Sequence, residues 1–400
     1  MCWLGILGGN MKKLNKNKLI GMGILSIIIL GLIIFSWNAQ KKIGYNEFSG
    51  TFAYTKAKVD KITYDDTNSV SKDKAQKQEF QVTILTGTHK GERYEMRNVL
   101  ETVDIHRIVV REGDEILVNY SEDSNGKMNT IHLYEIVRDK YIYLLVGIFV
   151  VSMLIICGIK GAKSVLTLLF TGVMIIGVLM PIILAGYSPL LSTIVVCIST
   201  AAASIFFING INKKTMVAVI GTLGGILIAT LITTVIGNAC RVTGLTGNEA
   251  QTIVYMHKSV ALNFKLILFS AIIIGSLGAV MDVSISIASS MSELLEVKPD
   301  ISHKELIKSG MNIGKDIMTT MANTLILAYV GGAFQLFLLI LAEKVNFTQL
   351  MNIETIITEV ITAISGSIGL IWTVPITVFA MVHLRKYEMR KTKTISKKKG

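Results

Sequence analysis

The sequence predicts an α-helical polytopic membrane protein of about eight spans, with a small extracytoplasmic β-barrel-like domain between the first two spans. Two observations lead to this fold class. The 400 residues are 51% apolar with a mean hydropathy of +0.55, well above an ordinary soluble chain. Residues 38–140 instead carry nearly equal numbers of acidic and basic residues, and their apolar residues alternate at period two, which is typical of strands.

The apolar runs are long enough to cross a bilayer. The first, 19–37, follows the basic segment 1–18 and predicts an uncleaved anchor; a signal peptide is the alternative. The first residue of the protein is either Met1 or Met11, and the lysine-rich run that follows Met11 is the more typical start of a membrane protein. The remaining seven spans make up a membrane domain at 141–384, before a basic tail at 385–400. They are predicted at 141–158, 165–186, 188–209, 215–237, 264–288, 319–341 and 357–383.

Lys and Arg in the short connections predict the orientation, because cytoplasmic loops carry more positive charge. Lys160 and Lys163 mark one connection, and Lys213 and Lys214 the next on that side. The basic loop 289–318 and both termini fall on the same side when eight spans are counted. We therefore expect both termini in the cytoplasm and residues 38–140 on the other side of the membrane.

The extracytoplasmic segment predicts five strands, at 51–64, 79–86, 92–99, 114–120 and 129–138. Gly87 and Gly91 bracket a predicted hairpin turn, and 67–78 is a polar loop. Five short strands in about a hundred residues indicate a small barrel, more specifically an OB-like one. A spacer or docking module and a small-ligand binder both fit it.

Charge and cysteine placement exclude several classes of protein. The net charge of +12 lies at the two ends of the chain, which is typical of cytoplasmic anchors that touch anionic lipid, so no nucleic acid is expected as a partner. Cys2, Cys157, Cys197 and Cys240 have no metal-ligand spacing. No phosphate-binding glycine loop is present, and we expect no cofactor and no metal.

The run from Phe264 to Glu293 carries an acid well inside an apolar segment. At helical spacing, one face holds Gly275, Gly278, Asp282, Ser286, Ser289 and Glu293. An acid at membrane depth costs about 2.5–3.5 kcal/mol, so Asp282 should face protein or water. A clamp between helices, or an acid that snorkels to the cytoplasmic boundary, is the alternative to a site that binds or moves something.

The seventh span supplies the other polar candidates. Asp316, Asn323 and Thr324 give it hydrogen-bonding capacity, and Asn323 would pair with Asp282 if the helices are neighbours. Such bonds also serve as plain interhelical glue, so a solute contact and a packing role remain open. Glu359, at the start of the last span, is weaker evidence because it falls near the outer interface.

Small residues predict where helices approach closely. The predicted packing glycines are Gly275, Gly278, Gly331, Gly332, Gly366 and Gly369. A pattern of two glycines three apart recurs at 221–224, 275–278 and 366–369, which would fit inverted repeats of spans 3–5 and 6–8. Within the loop, Pro299 ends one helix, and Ser302 with Glu305 predicts a capping box that opens a short helix to Ser309.

Four segments resemble the YibE/F family of bacterial multipass membrane proteins. The longer two are LGAVMDVSISIASSMSEL at 277–294 and GKDIMTTMANTLILAYVGG at 314–332; the shorter two are GLTGNEA at 244–250 and GSIGL at 366–370, with Pro375 after it. The likeness covers roughly residues 50–383. Lys315 stands where the family pattern has Arg, and Thr319 where it has Gly. The resemblance implies a bacterial inner-membrane protein and no particular activity.

Three functions fit these observations. The first is a permease that moves a small solute or ion along the polar face around Asp282. The second is a membrane sensor or assembly factor that uses the β domain for recognition. An intramembrane protease built on Asp282 and Asp316 lacks the expected glycine-aspartate pattern, so we predict no enzyme. Expected partners are membrane lipid and an unknown small solute or ion; a homo-oligomer or a partner membrane subunit stays open.

Overall fold

A computed structural model describes residues 16–42, 53–67, 76–100, 107–123, 126–246, 250, 252–254 and 262–399. Most of the predicted basic N-terminus and the centre of the 244–250 motif lie outside these residues. The chain divides into two compact units. One comprises residues 44–158, and the other comprises residues 1–43 together with 159–400.

The first unit is built on five antiparallel strands. They are β1 (Ala53–Asp65), β2 (Gln76–Ile84), β3 (Arg93–Leu100), β4 (Glu115–Glu122) and β5 (Met128–Ile136). The sheet order is β3-β2-β1-β4-β5, and the two end strands, β3 and β5, contact each other. The result is a near-closed barrel, as the alternating pattern predicts. Its narrower assignment as OB-like stays a prediction.

The period-two pattern places one face of each strand inside the barrel. Along β2, the buried side chains are Gln78, Phe80, Val82 and Ile84. Gln78 is paired on both sides, since its amide donates to Val110 O at 3.2 Å and accepts from Val110 N at 3.0 Å. Gly87 and Gly91 take positive φ in the turn between β2 and β3, so the predicted hairpin is confirmed.

The second unit is helical. Its elements are α1 (Lys16–Lys42), the part of α2 (Asp139–Val173) beyond Gly158, a π-helical segment (Met174–Leu179), α3 (Met180–Leu184), α4 (Pro189–Asn209), α5 (Lys213–Ala239), α6 (Phe264–Val297), α7 (His303–Gly332), α8 (Phe334–Ala342), α9 (Phe347–Leu350) and α10 (Glu354–Lys399). Helix α2 begins in the barrel unit and breaks at Gly158, whose φ of 54° and ψ of −131° are not helical. Glycine accepts this backbone without the penalty that a Cβ would add.

Within the described residues, five helices are long and apolar enough to cross a membrane, or six if α7 and α8 form one bent span. Eight spans are therefore not confirmed. The predicted spans 141–158 and 165–186 fall in one helical stretch, Asp139–Leu184, and the apolar part described in α1, Leu25–Lys41, is shorter than a span. The sequence ends the first of these spans at residue 158, where the backbone of Gly158 is indeed not helical, but helix resumes at once and already includes Gly161 and Lys163.

Apolar side chains of α4, α5, α6, α7 and α10 form the core of the helical unit, with Val280, Val283, Val374 and Val378 fully buried in it. At its centre, Ser284 of α6 reaches both neighbouring helices. Its hydroxyl donates to Ala218 O on α5 at 2.5 Å and lies 3.2 Å from Thr377 Oγ1 on α10.

Helix α7 differs from its prediction. The capping box of Ser302 and Glu305 is present, but the helix continues to Gly332 where a short helix to Ser309 was expected. Gly310 and Gly314 do not break it because they lie against Met291 and Val374, so both glycines serve close packing.

The seventh predicted span is broken. Helices α7 and α8 meet at Ala333 with a bend of 58°. Gly331 and Gly332 have open space around the positions of their missing side chains, so the prediction that they pack helices together does not hold for the described residues. A glycine pair has low helix propensity, and it ends α7 here.

Candidate functional site

Helix α6 places Asp282 eighteen residues after its first residue, Phe264, which corresponds to roughly 27 Å along the axis. The carboxylate lies at the edge of a cavity of about 280 Å³ between α2, α4 and α6. Besides Asp282, the lining residues are Ser164, Thr167, Leu168, Thr171 and Ile175 from the helices before α4; Thr200, Ala201, Ser204 and Ile208 from α4; and Ile274, Leu277, Gly278, Met281 and Ile285 from α6. We call this cavity the Asp282 groove.

The threonines that α2 brings to the groove bond within their own helix. Thr167 Oγ1 donates to Ser164 O at 2.8 Å, and Thr171 Oγ1 donates to Thr167 O at 2.8 Å. Donation to a backbone carbonyl is a common arrangement for hydroxyls in membrane helices. Each oxygen, having donated its proton, keeps the capacity to accept a hydrogen bond.

The hydroxyls that α4 brings to the groove are different. Thr200 and Ser204 are 2% and 3% exposed, and neither oxygen has a hydrogen-bond partner among the residues the structure describes. Leaving a buried hydroxyl unpaired costs about 1–3 kcal/mol. An occupant of the groove that bonds these oxygens would remove that cost.

No described residue forms a hydrogen bond or an ion pair with Asp282. Its side chain is exposed on the surface of the chain. Facing lipid it would cost about 2.5–3.5 kcal/mol, so water, a solute or another protein surface has to cover it. The groove therefore offers one free carboxylate and several hydroxyl oxygens, which is a ligand set for a small cation or a hydrogen-bond donor.

The structure does not join the predicted polar residues of α7 to Asp282. Asn323 and Thr324 are exposed, and Thr324 Oγ1 donates to Thr320 O at 2.9 Å. Asp316 is exposed as well, and Ser286 is half-buried. No hydrogen bond between Asp282 and Asn323 exists in the described part of the chain, because Asp282 belongs to the groove with α2 and α4. A role in a site for Ser286, Asp316, Asn323 and Thr324 stays a prediction.

The predicted packing glycines divide into two groups. Gly366 lies against Ser276 and Leu325, and Gly369 against Ala229 and the backbone of Gly225. Gly275 faces the hydroxyl of Tyr329 on α7. Gly278 lines the groove with nothing near its missing side chain, so it leaves room where the prediction expected a contact.

The hydroxyls of α2 and α4 were missed from the sequence. Their spacing would have found them: Ser164, Thr167 and Thr171 follow each other at three and four residues, and Thr200 and Ser204 at four. Residues at such spacings share one helix face. Two polar stripes on otherwise apolar helices were the available signal.

Next to the groove, the helix geometry changes. The segment Met174–Leu179 is π-helical, and Gly177 O within it accepts a hydrogen bond from Ser36 Oγ of α1 at 2.9 Å. Short π-helical segments are frequent at functional sites. Ile175 from this segment lines the groove.

Among the described residues, no three His, Cys, Asp or Glu side chains lie close enough together to hold a metal ion. Cys157, Cys197 and Cys240 are free thiols.

Comparison with known families gives two matches that together span most of the chain. The family described as YibE/F-like protein matches residues 145–387, and the YibE/F family N-terminal domain matches residues 52–135. No curated protein and no solved structure matches this chain. The first match includes every residue of the Asp282 groove. The resemblance read from the four segments is confirmed, and the chain belongs to the YibE/F family.

Proposed function

We propose that this membrane protein is a permease that moves a small ion or solute through the Asp282 groove. The observation that carries the proposal is the free carboxylate of Asp282 beside the unpaired hydroxyls of Thr200 and Ser204. Polar groups without partners at membrane depth are costly. A permeant species that bonds all three offsets that cost while it is bound.

The chemistry and size of the groove restrict the permeant species. Its polar atoms are carboxylate and hydroxyl oxygens, and the rest of the lining is Ile, Leu, Met, Ala and Gly. Such a site prefers a cation, a proton or a donor-rich solute. A volume of about 280 Å³ lies just below the range of about 300–1,000 Å³ in which drug-sized ligands bind, so the solute is small.

The proposal includes the predicted placement in a bacterial inner membrane, with both termini in the cytoplasm and the barrel outside. It assigns no enzymatic step and no cofactor. Membrane lipid and the permeant solute or ion are its partners.

An alternative is that the chain acts as a sensor or assembly factor through its barrel. The observation that favours it is an exposed aromatic pair: Tyr54 and Tyr134 are 55% and 53% exposed, with ring centroids 5.0 Å apart. Aromatic side chains left open on a domain surface are typical of recognition sites.

Flux measurements on the purified chain in lipid vesicles test the permease. We expect the parent to move at least one ion or metabolite faster than empty vesicles, and Asp282→Asn to lose that flux. The matched control is Glu296→Gln, which neutralises an exposed acid on the same helix outside the groove. Equal flux from the parent and from empty vesicles across ions and metabolites would overturn the permease and leave the barrel as the functional part.

A further inference from the structure

A second cavity in the helical unit contains an acid that the Asp282 groove does not use. It measures about 160 Å³ and lies between α7, α8 and α10, where α7 and α8 bend apart. Its lining residues are Ile326, Tyr329, Val330, Ala333, Phe337, Glu359, Val360, Ala363 and Ile364. Glu359 and Tyr329 are the polar members of this set.

Glu359 lies five residues after the start of α10, roughly 7.5 Å along the axis. It is half-buried, and no described residue gives it a hydrogen bond or an ion pair. All the side chains around it in the cavity are apolar except that of Tyr329. A carboxylate charge without a partner is costly in such surroundings.

Tyr329 brings an unused hydroxyl to the same place. Its phenol oxygen is buried and has no hydrogen-bond partner among the described residues. The oxygen lies against Gly275 of α6, where an added Cβ would overlap it. Gly275 therefore leaves the space that the hydroxyl occupies, and the phenol can both donate and accept.

We propose that Glu359 and Tyr329 form a proton-binding site. When the carboxylate takes up a proton, the neutral carboxyl and the phenol hydroxyl are the two polar side chains of the described lining, and a rotation of either can join them by a hydrogen bond. A metal ion is a poorer occupant, because Mg²⁺ takes about six oxygen ligands and Ca²⁺ about six to eight. Tyr329 is the one other titratable side chain that α7 and α8 bring to the described lining.

Helix α6 links this site to the Asp282 groove. Gly275, against the Tyr329 hydroxyl, and Asp282 are seven residues apart on α6, which is about two helical turns, or roughly 10 Å. A movement of Tyr329 on protonation would change its contact with Gly275, on the helix that carries Asp282. This step rests on the proposed function: it makes a proton gradient the energy source of the permease.

Infrared difference spectroscopy during a pH titration of the full chain in lipid tests proton binding without any transport. We expect a band from a protonated carboxyl group that Glu359→Gln removes. Tyr329→Phe should shift that band, since the hydrogen bond to the phenol is lost. Glu343→Gln is the matched control, because Glu343 is exposed at the end of α8, outside the cavity.

Two outcomes would overturn the proposal. One is an unchanged set of carboxyl bands in a folded Glu359→Gln variant, and the other is a band that Tyr329→Phe leaves in place. A near-ultraviolet circular dichroism spectrum like that of the parent shows that each variant is folded. If the parent shows no flux above that of empty vesicles while the Glu359 band is present, the permease proposal fails and proton binding stands.

Discussion

Two sets of hydroxyl side chains in the helical unit contain the same residue types and differ in their hydrogen bonds. In the seam of Gly221, Ser284 and Thr377, the two hydroxyls have partners at 2.5–3.2 Å. In the Asp282 groove, Thr200 and Ser204 are equally buried and have none among the described residues. The satisfied set holds three helices together. The unsatisfied set has bonding capacity left for an occupant, which separates a packing contact from a candidate site.

The strongest test of this comparison is Gly221→Ala, which should destabilise the helical unit. A Cβ at Gly221 would overlap Thr377 Oγ1 and Ser284 Oγ, and all three positions are buried. Overpacking of this kind costs about 1–3 kcal/mol. The free energy of unfolding, measured by SDS titration in mixed micelles, should fall by that amount.

Gly172→Ala is the control for this substitution. Nothing lies within 4 Å of a Cβ at Gly172 on α2, and alanine favours a helix over glycine by about 1 kcal/mol. The control should therefore be neutral or stabilising. Equal losses in both variants would show that the seam is not closely packed.

A smaller effect distinguishes two serines. Ser284→Ala removes the bond to Ala218 O and should cost about 0.6 kcal/mol, with about 2 kcal/mol as the upper end. Ser204→Ala removes a buried hydroxyl that has no partner among the described residues, so its unfolding free energy should rise, by up to about 1–3 kcal/mol.

Flux should distinguish the two serine variants as well, with the larger effect now expected for Ser204→Ala. Ser204→Ala should slow the proposed transport by about fivefold, the factor that corresponds to one hydrogen bond of about 1 kcal/mol. Ser284→Ala should leave flux nearly unchanged at temperatures where the variant is folded. If Ser204→Ala instead destabilises the chain without affecting flux, its hydroxyl has a structural role and the groove loses part of its argument.

Much of the fold could be predicted because it depends on local periodicity. The five strands lie within a few residues of their predicted positions, since alternation along β2 and its partners matches one buried face. The count of eight spans is not confirmed, because apolarity alone does not tell that helix resumes at once after the break at Gly158 or that α7 and α8 meet at a bend. Both depend on backbone angles.

Of the residues in the Asp282 groove, the sequence predicted Asp282 and Gly278 but none of the hydroxyl side chains. Asp282 stands out because any carboxylate in an apolar run is costly. Ser204 and Ser284 look alike in the sequence, and what separates them is whether a carbonyl of a neighbouring helix lies within reach. Such partners are set by packing between helices far apart in the chain. For the same reason the expected Asp282–Asn323 bond could not be tested before the helices were placed.

The barrel contains a buried polar side chain with hydrogen-bond partners, His89, which can be compared with those of the helical unit. His89, with 8% of its side chain exposed, lies between two carboxylates: Nδ1 is 3.1 Å from Glu92 Oε2, and Nε2 is 3.1 Å from Glu122 Oε1. The bond to Glu122 raises the pKa of His89 above its ordinary 6.5; burial opposes the rise and Glu92 adds to it. Since the folded pKa lies above the unfolded one, this contribution to stability is complete below about pH 6.5. It is lost as the pH rises through the folded pKa.

The smallest expected effect is therefore a shift in that pH dependence, because Glu92 and Glu122 are half-exposed and solvent screens the pairs. Glu122→Gln should lower the pKa of His89, measured by NMR of labelled imidazoles assigned with His89→Gln. The loss of barrel stability with rising pH should then be smaller and be complete at a lower pH. Glu79→Gln, whose carboxylate pairs with Arg97, should leave the His89 titration unchanged. If both variants titrate like the parent, Glu122 does not hold the imidazolium, and Glu92 alone is responsible for the raised pKa of His89.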